Sequence, residues 1–122
     1  MGFPTFSAKY ADVYEIQAQQ YEADISTFLG YVSGAKAQAL QANANVLVFA
    51  GVSTAPNGKD ETADQIYQAI VQTEDIVAGY WLCIPSPGTS CPNCVAPNPQ
   101  VAVDVLRRLN SPPHAQSRRQ RP

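Results

Sequence analysis

The 122-residue chain is 45% hydrophobic with a formal net charge of −2, a composition that suits one globular domain and excludes a disordered chain. Three arginines lie at the C-terminus, so residues 1–110 hold five basic and ten acidic side chains, a net charge of −5. An acidic body lacks the basic surface that a nucleic-acid partner requires. Its apolar runs are far shorter than the roughly 20 residues of a membrane-spanning helix, so no membrane partner is expected.

Three strand-like runs alternate with stretches of helical spacing, which is the pattern of parallel βαβ units. The first run places Val13 and Glu15 on one face and Tyr14 and Ile16 on the other, the period of two expected of a strand. The second run is continuously apolar, as in a central parallel strand buried on both faces. The predicted strands are Ala11–Ala18, Val46–Ser53 and Ile76–Ile84.

Each of the three predicted helices follows a residue that caps helix N-termini. The predicted N-caps are Asp24, Thr62 and Asn98. Thr62 is followed three residues later by Gln65, which matches a capping box. The first helix should end at the turn Asn43–Asn45, because Asn tolerates the left-handed backbone that terminates helices.

The predicted fold class is α/β, with three consecutive βα units and parallel strands. Three units leave sheet edges open that a complete α/β domain closes or covers. We therefore predict a partial (β/α)8, TIM-like barrel over residues 1–110, followed by a disordered basic tail over residues 111–122. Residues 1–11 fit an internal loop as well as a natural start, so we expect a fragment of a longer chain. The expected location is extracellular if the full-length protein carries a signal peptide, and cytoplasmic otherwise.

Glu15 is the candidate catalytic carboxylate, because a carboxylate on a strand that enters a core is costly unless it has a function. Glycoside hydrolysis usually uses two carboxylates about 5–10 Å apart. Eight other acidic residues resemble helix caps and solvated helix faces: Glu22, Asp24, Asp60, Glu61, Asp64, Glu74, Asp75 and Asp104. Of these, Asp60 and Glu61 could reach the barrel mouth, but their position just before a helix favours capping. A partner carboxylate is therefore expected from a part of the barrel outside this chain.

Polar and aromatic residues at the carboxyl ends of the predicted strands are candidates for substrate binding, since barrel enzymes bind ligands there. The candidates are Gln17, Gln19, Ser53, Thr54 and Trp81. Trp81 either packs in the core or offers a stacking surface for a sugar ring near the barrel mouth.

Cys91 and Cys94 form a CxxC motif that can close a disulfide, hold half of a metal site or exchange thiols. A zinc site would need Cys83 and His114 as further ligands. Thiol catalysis favours a CxxC motif at the start of a helix, whereas three residues separate this motif from the N-cap Asn98. The favoured interpretation is a disulfide between Cys91 and Cys94 that cross-links the loop Pro85–Pro97, and such a bond requires an oxidising compartment.

The chain contains the runs DVYEIQAQQYE, NVLVFAGVSTAPNG and GYWLCIP, followed by CPNC and PQVAVDVLRRL, within Ala11–Leu109. Together these runs resemble the C-terminal units of an uncharacterised bacterial family of barrel-like proteins. The resemblance implies a (β/α) barrel similar in style to glycosidase barrels, often exported, without a defined activity. It also implies that the predicted catalytic and substrate-binding residues point towards the barrel mouth. That family tends to have Asn at the position of Cys83, so a polar role of this position does not carry over.

Motifs for nucleotide, phosphate and protease chemistry are absent from the sequence: GxGxxG, the Walker loop, GxSxG and HExxH. No cofactor is therefore expected, and no metal. The first hypothesis is a hydrolase-like or carbohydrate-binding barrel domain whose ligand is a carbohydrate or another small molecule. The alternative is a non-catalytic interaction module that forms homo-oligomers through open strand edges.

Overall fold

The computed structural model describes residues 9–88, 92–93, 95–112 and 114. Its strands, β1 (Val13–Ile16), β2 (Leu47–Ser53) and β3 (Gly79–Cys83), form one parallel sheet in the order β1-β2-β3. The three helices are α1 (Ile25–Ala42), α2 (Ala63–Thr73) and α3 (Pro99–Asn110). Short 3₁₀ turns, Gln19–Tyr21 and Pro56–Gly58, lie in the loops that follow β1 and β2. The predicted α/β class with three consecutive βα units is confirmed.

Capping starts the first two helices where the sequence predicts. The Asp24 carboxylate accepts a hydrogen bond from the Thr27 amide at 3.3 Å. Thr62 and Gln65 form both hydrogen bonds of a capping box. Asn98 occupies the N-cap of α3, but its side chain makes no capping hydrogen bond, and Pro99 at the first helical position supplies the helical backbone angle instead.

One face of the sheet packs against the helices and forms the core. The strand side chains that enter this core alternate along each strand, as period two requires. They are Tyr14 and Ile16 from β1 and Val48, Ala50 and Val52 from β2. They meet the apolar stripes of α1 (Phe28, Val32, Ala35 and Ala39) and α2 (Ile66, Ala69 and Ile70). Burial of these stripes is the main stabilising contribution to the fold.

The opposite face of the sheet, which we call the open face, carries Val13, Glu15, Leu47, Phe49, Gly51, Gly79, Trp81 and Cys83. Val13, Leu47 and Trp81 are 52%, 53% and 43% exposed, although the first two are apolar. The prediction that β2 is buried on both faces is therefore wrong for the first part of that strand. Parallel sheets are normally covered on both faces, so the exposed apolar residues of this face are a surface that another part of a protein or a ligand would be expected to cover.

Strands β1 and β3 are shorter than predicted because local hydrogen bonds hold the residues next to them in turns. The Ala18 amide donates back to the Ile16 carbonyl at 3.0 Å, which turns the chain after β1. The amides of Ile76 and Val77 donate to the Thr73 carbonyl, so these residues extend the turn after α2, and β3 begins only at Gly79.

The end of α1 also differs from the prediction in its mechanism. Asn43 terminates the helix, but with an extended backbone at φ −154° instead of a left-handed one. Its side chain donates to the Ala11 carbonyl at 3.0 Å and accepts from the Asn45 amide at 3.0 Å. These bonds hold the exit of α1 beside the start of β1.

His114 belongs to the segment predicted as a tail, and it is buried against α2. Its Nδ1 lies 2.9 Å from the Tyr67 hydroxyl, and its Nε2 lies 3.2 Å from Glu74 Oε2. Arg108 stacks on the Tyr67 ring at 4.1 Å and pairs with Asp64 at 2.8 Å. Arg108 and His114 thus both contact α2 and its C-terminal end. Of the predicted tail, the structure describes Ser111, Pro112 and His114.

None of the helices in the described ranges is both long enough and apolar enough to cross a membrane.

Candidate functional site

Three predicted site residues on the open face are joined by hydrogen bonds. Gln19 Nε2 donates to Gln17 Oε1 at 2.9 Å, and Gln17 Nε2 donates to Glu15 Oε1 at 3.0 Å. This row continues the outward-facing side of β1 beyond the end of the strand. The bonds fix the orientation of both amides, so each presents its remaining donor or acceptor in a defined direction.

Gln19 and Trp81 meet over Gly51 at the centre of the sheet. Trp81 pairs with Gly51 in register, and a Cβ on Gly51 would lie 2.8 Å from Gln19 Oε1 and 3.4 Å from Trp81 Cε3. Because Gly51 has no side chain, the Gln19 amide and the Trp81 indole ring can both pack against its backbone. Gln19 Oε1 is buried and accepts no hydrogen bond from any of the residues that the structure describes.

Phe49 and Gly79 form the floor of the open face next to Glu15. Glu15 pairs in register with Phe49, which in turn pairs with Gly79. The Phe49 ring lies across Gly79, so close that a Cβ there would be 2.7 Å from the ring edge. The open face therefore combines one carboxylate, two amides and two aromatic side chains.

Ser53 and Thr54, predicted to bind substrate, are buried and make hydrogen bonds within the protein. The Ser53 hydroxyl accepts from the Ala55 amide at 3.1 Å. The Thr54 backbone accepts from the Glu61 amide at 2.9 Å and donates to the Cys83 carbonyl at 3.0 Å. These residues shape the loop after β2, while Glu15, Gln17, Gln19 and Trp81 are the predicted residues that the fold brings together.

The cysteines contribute less to the site. Cys91 and Cys94, predicted to form a disulfide, lie outside the described residues. Cys83 is a free thiol on the open face, and burial raises its pKa, which keeps it protonated at neutral pH. Within the described ranges, no group of three or more histidine, cysteine or acidic side chains could hold a metal ion.

A second feature, which we call the carboxyl pair, consists of Glu22 and Glu61. Glu22 follows β1 and is 1% exposed, and Glu61 follows β2 and is 6% exposed. Glu22 Oε1 accepts from the Ser53 amide at 2.6 Å, and the Glu61 carboxyl lies close enough to Glu22 to raise its pKa. The pair thus ties the loop after β1 to the end of β2 and the loop that follows it.

The pKa of Glu22 is raised to about 10, chiefly by burial and also by the neighbouring Glu61 carboxyl, against the lowering effect of the Ser53 amide. Two buried carboxyl groups in contact cannot both be ionised without a large cost, so one proton stays between them at neutral pH.

The prediction that Glu22 and Glu61 are helix caps or solvated residues is wrong, since both are buried. Their burial depends on how two separate loops meet, which no local pattern reveals. The closest signal is position, since both residues lie in loops that follow the carboxyl ends of adjacent parallel strands.

Comparisons of the chain with protein-family models, with curated proteins and with solved structures found no match. Function is therefore inferred from the geometry and chemistry of the chain itself.

Proposed function

We propose that the chain is part of a (β/α) barrel and that its open face binds carbohydrate at the barrel mouth. The observation that carries this proposal is the half-exposed Trp81 ring, which lies beside the hydrogen-bonded row of Glu15, Gln17 and Gln19.

The barrel part of the proposal rests on topology. Consecutive βα units with strands in sequential order, helices on one face and the other face open are what a segment of a (β/α) barrel has. In a closed barrel the open face is the interior, where further strands would cover Val13 and Leu47. Side chains beyond the carboxyl ends of the strands would remain at the mouth, and Gln17 and Gln19 follow β1 at that end.

The carbohydrate part rests on complementary chemistry. A sugar ring offers an apolar C–H face and many hydroxyl groups, so its sites combine an aromatic platform with oriented amides and carboxylates. Trp81 supplies the platform, and Gln19 Oε1 is an acceptor that a sugar hydroxyl can satisfy. Among the described residues, Glu15 accepts from Gln17 through Oε1, which leaves Oε2 for a ligand hydroxyl or for proton transfer.

Hydrolysis is the more specific form of the proposal, with Glu15 as the catalytic carboxylate. The second carboxylate would come from barrel strands other than β1–β3, because Glu22 and Glu61 are only 1% and 6% exposed. In the complete barrel, Glu15→Gln should then abolish turnover of chromogenic glycosides while sugar binding persists.

Trp81→Ala should weaken binding of oligosaccharides by about tenfold or more, because stacking on an aromatic ring contributes roughly 1.4 kcal/mol or more. Isothermal titration against a panel of soluble oligosaccharides and polysaccharides measures this. The matched control is Tyr10→Ala, which removes an exposed aromatic ring that precedes β1. If the Trp81 variant binds as tightly as the wild type, or if no saccharide binds, the proposal is wrong.

A second candidate function, self-association, is favoured by the exposed apolar residues Val13 and Leu47 and by the outer edges of β1 and β3. A second copy would cover this surface in place of further strands. Sedimentation velocity should then give a concentration-dependent dimer that Leu47→Lys dissociates, while the surface control Leu106→Lys leaves it intact. A monomer at all concentrations would rule out this candidate.

A further inference from the structure

A small cleft lies beside the N-terminal ends of α1 and α2. Its volume is about 160 Å³. Its lining residues are Glu22, Ala23, Ile25, Glu61, Asp64, Gln65 and Gln68. No basic side chain is among them, so the cleft combines a negative potential with many hydrogen-bond acceptors.

The two most deeply buried of these residues, Glu22 and Glu61, have carboxylate oxygens that receive no hydrogen bond from the described residues. Glu22 Oε2 and both carboxylate oxygens of Glu61 are buried, and no N–H or hydroxyl donor of the described residues reaches them. The carboxyl pair can satisfy them only in part, with the single proton that it shares. Buried acceptors left in this state are costly unless a ligand donates to them.

Neighbouring charges do not compensate the carboxyl pair. Asp64 is engaged by Arg108 at 2.8 Å. Lys59 and Asp60 line an adjacent cleft that Glu61 also borders, and no ion pair in the described part of the chain joins Glu61 or Glu22 to a basic side chain. The groups that face the pair are therefore mostly acidic or neutral.

We propose that this cleft binds small primary alkylammonium ions, with the ammonium N–H groups donating to Glu22 and Glu61. An R–NH₃⁺ group carries three donors and one positive charge, and the pair offers three oxygens without donors. The cleft volume suits a short alkyl chain, and Ala23 and Ile25 provide apolar contact for it.

Binding displaces the proton that the carboxyl pair shares. The protonated pair and R–NH₃⁺ become a dianionic pair with bound R–NH₃⁺, and one proton is released to solvent. Affinity should therefore rise with pH by up to about tenfold per unit between pH 6 and 8, where both the pair and a free alkylamine hold their protons.

Isothermal titration with methylammonium chloride tests this proposal at pH 6, 7 and 8 and constant ionic strength. Repeating the titration in buffers of different ionisation enthalpy counts the released protons. Tetramethylammonium is the control ligand, because it has the same charge but no N–H donor. We expect methylammonium to bind at least tenfold more tightly than tetramethylammonium, with close to one proton released per ion at each pH.

Glu61→Gln and Glu22→Gln should each reduce methylammonium affinity at least tenfold at pH 8 and remove the proton release. Glu15→Gln, on the open face, should leave both unchanged. Circular dichroism of each variant verifies folding, and the two single variants provide independent tests. Equal binding of the two ammonium ions, absence of binding, or unchanged affinity in folded Glu61→Gln would overturn the proposal.

Discussion

Glu22→Gln is expected to stabilise the protein at pH 8, by about 1–3 kcal/mol, instead of destabilising it. Glutamine has the same shape, and its amide can accept from the Ser53 amide and donate to Glu61, so it reproduces the bonds of the protonated acid. Unlike glutamate, it does not have to bind a proton in order to fold.

The physical reason is the linkage between protonation and folding. The pKa of Glu22 is raised from about 4.5 in the unfolded chain to about 10 in the folded protein, so between these values the folded state holds a proton that the unfolded state has lost. The contribution of Glu22 to stability is therefore fully present below pH 4.5. It is lost as the pH rises towards 10, by up to about 1.4 kcal/mol per pH unit.

Chemical denaturation at pH 5, 6, 7 and 8 measures this slope. The wild type should lose stability across the series, and Glu22→Gln should lose less. Glu15→Gln serves as the control, because it makes the same change at an exposed glutamate. A Glu22→Gln protein that is less stable than the wild type at pH 8, or equally pH-dependent, would contradict a shared proton in the carboxyl pair.

Phe28→Ala should destabilise the protein by about 3–5 kcal/mol, a large part of the 5–15 kcal/mol typical of folded domains. Phe28 is 0% exposed and is among the largest fully buried side chains. It lies on the stripe of α1 that packs on the core face of the sheet, so its loss leaves a cavity between the two layers.

Urea denaturation compares this variant with Leu106→Ala, which truncates a leucine that is 51% exposed on α3. The control should change the free energy of unfolding by less than about 1 kcal/mol. If both truncations have the same small effect, α1 does not pack against the sheet as described.

Local patterns were sufficient to predict the helices and strands and the two faces of β1. The alternation of Val13 and Glu15 with Tyr14 and Ile16 predicts which side of β1 enters the core, because period two is a property of the strand alone. The capping box of Thr62 and Gln65 likewise depends on residues three positions apart. Glu15 shares this alternation, whereas Gln17 and Gln19 lie beyond the end of β1, where the chain has already turned.

Features that depend on tertiary contacts could not be predicted. The carboxyl pair requires the loops after β1 and β2 to meet, and the packing of His114 requires the chain after α3 to return to α2. The role of Gly51 depends on Gln19 and Trp81 approaching it from different segments. The buried positions of Ser53 and Thr54 involve tertiary hydrogen bonds, from the Ser53 amide to Glu22 and between the Thr54 backbone and those of Glu61 and Cys83.

The most direct test of carbohydrate binding on the open face is the indole N–H signal of Trp81 in a ¹H–¹⁵N spectrum, which is unambiguous because the chain has one tryptophan. Titration with an oligosaccharide should shift this signal together with the side-chain amide signals of Gln17 and Gln19. If these three signals stay unchanged at saccharide concentrations that saturate binding elsewhere, or if no signal moves, the open face is not a carbohydrate site.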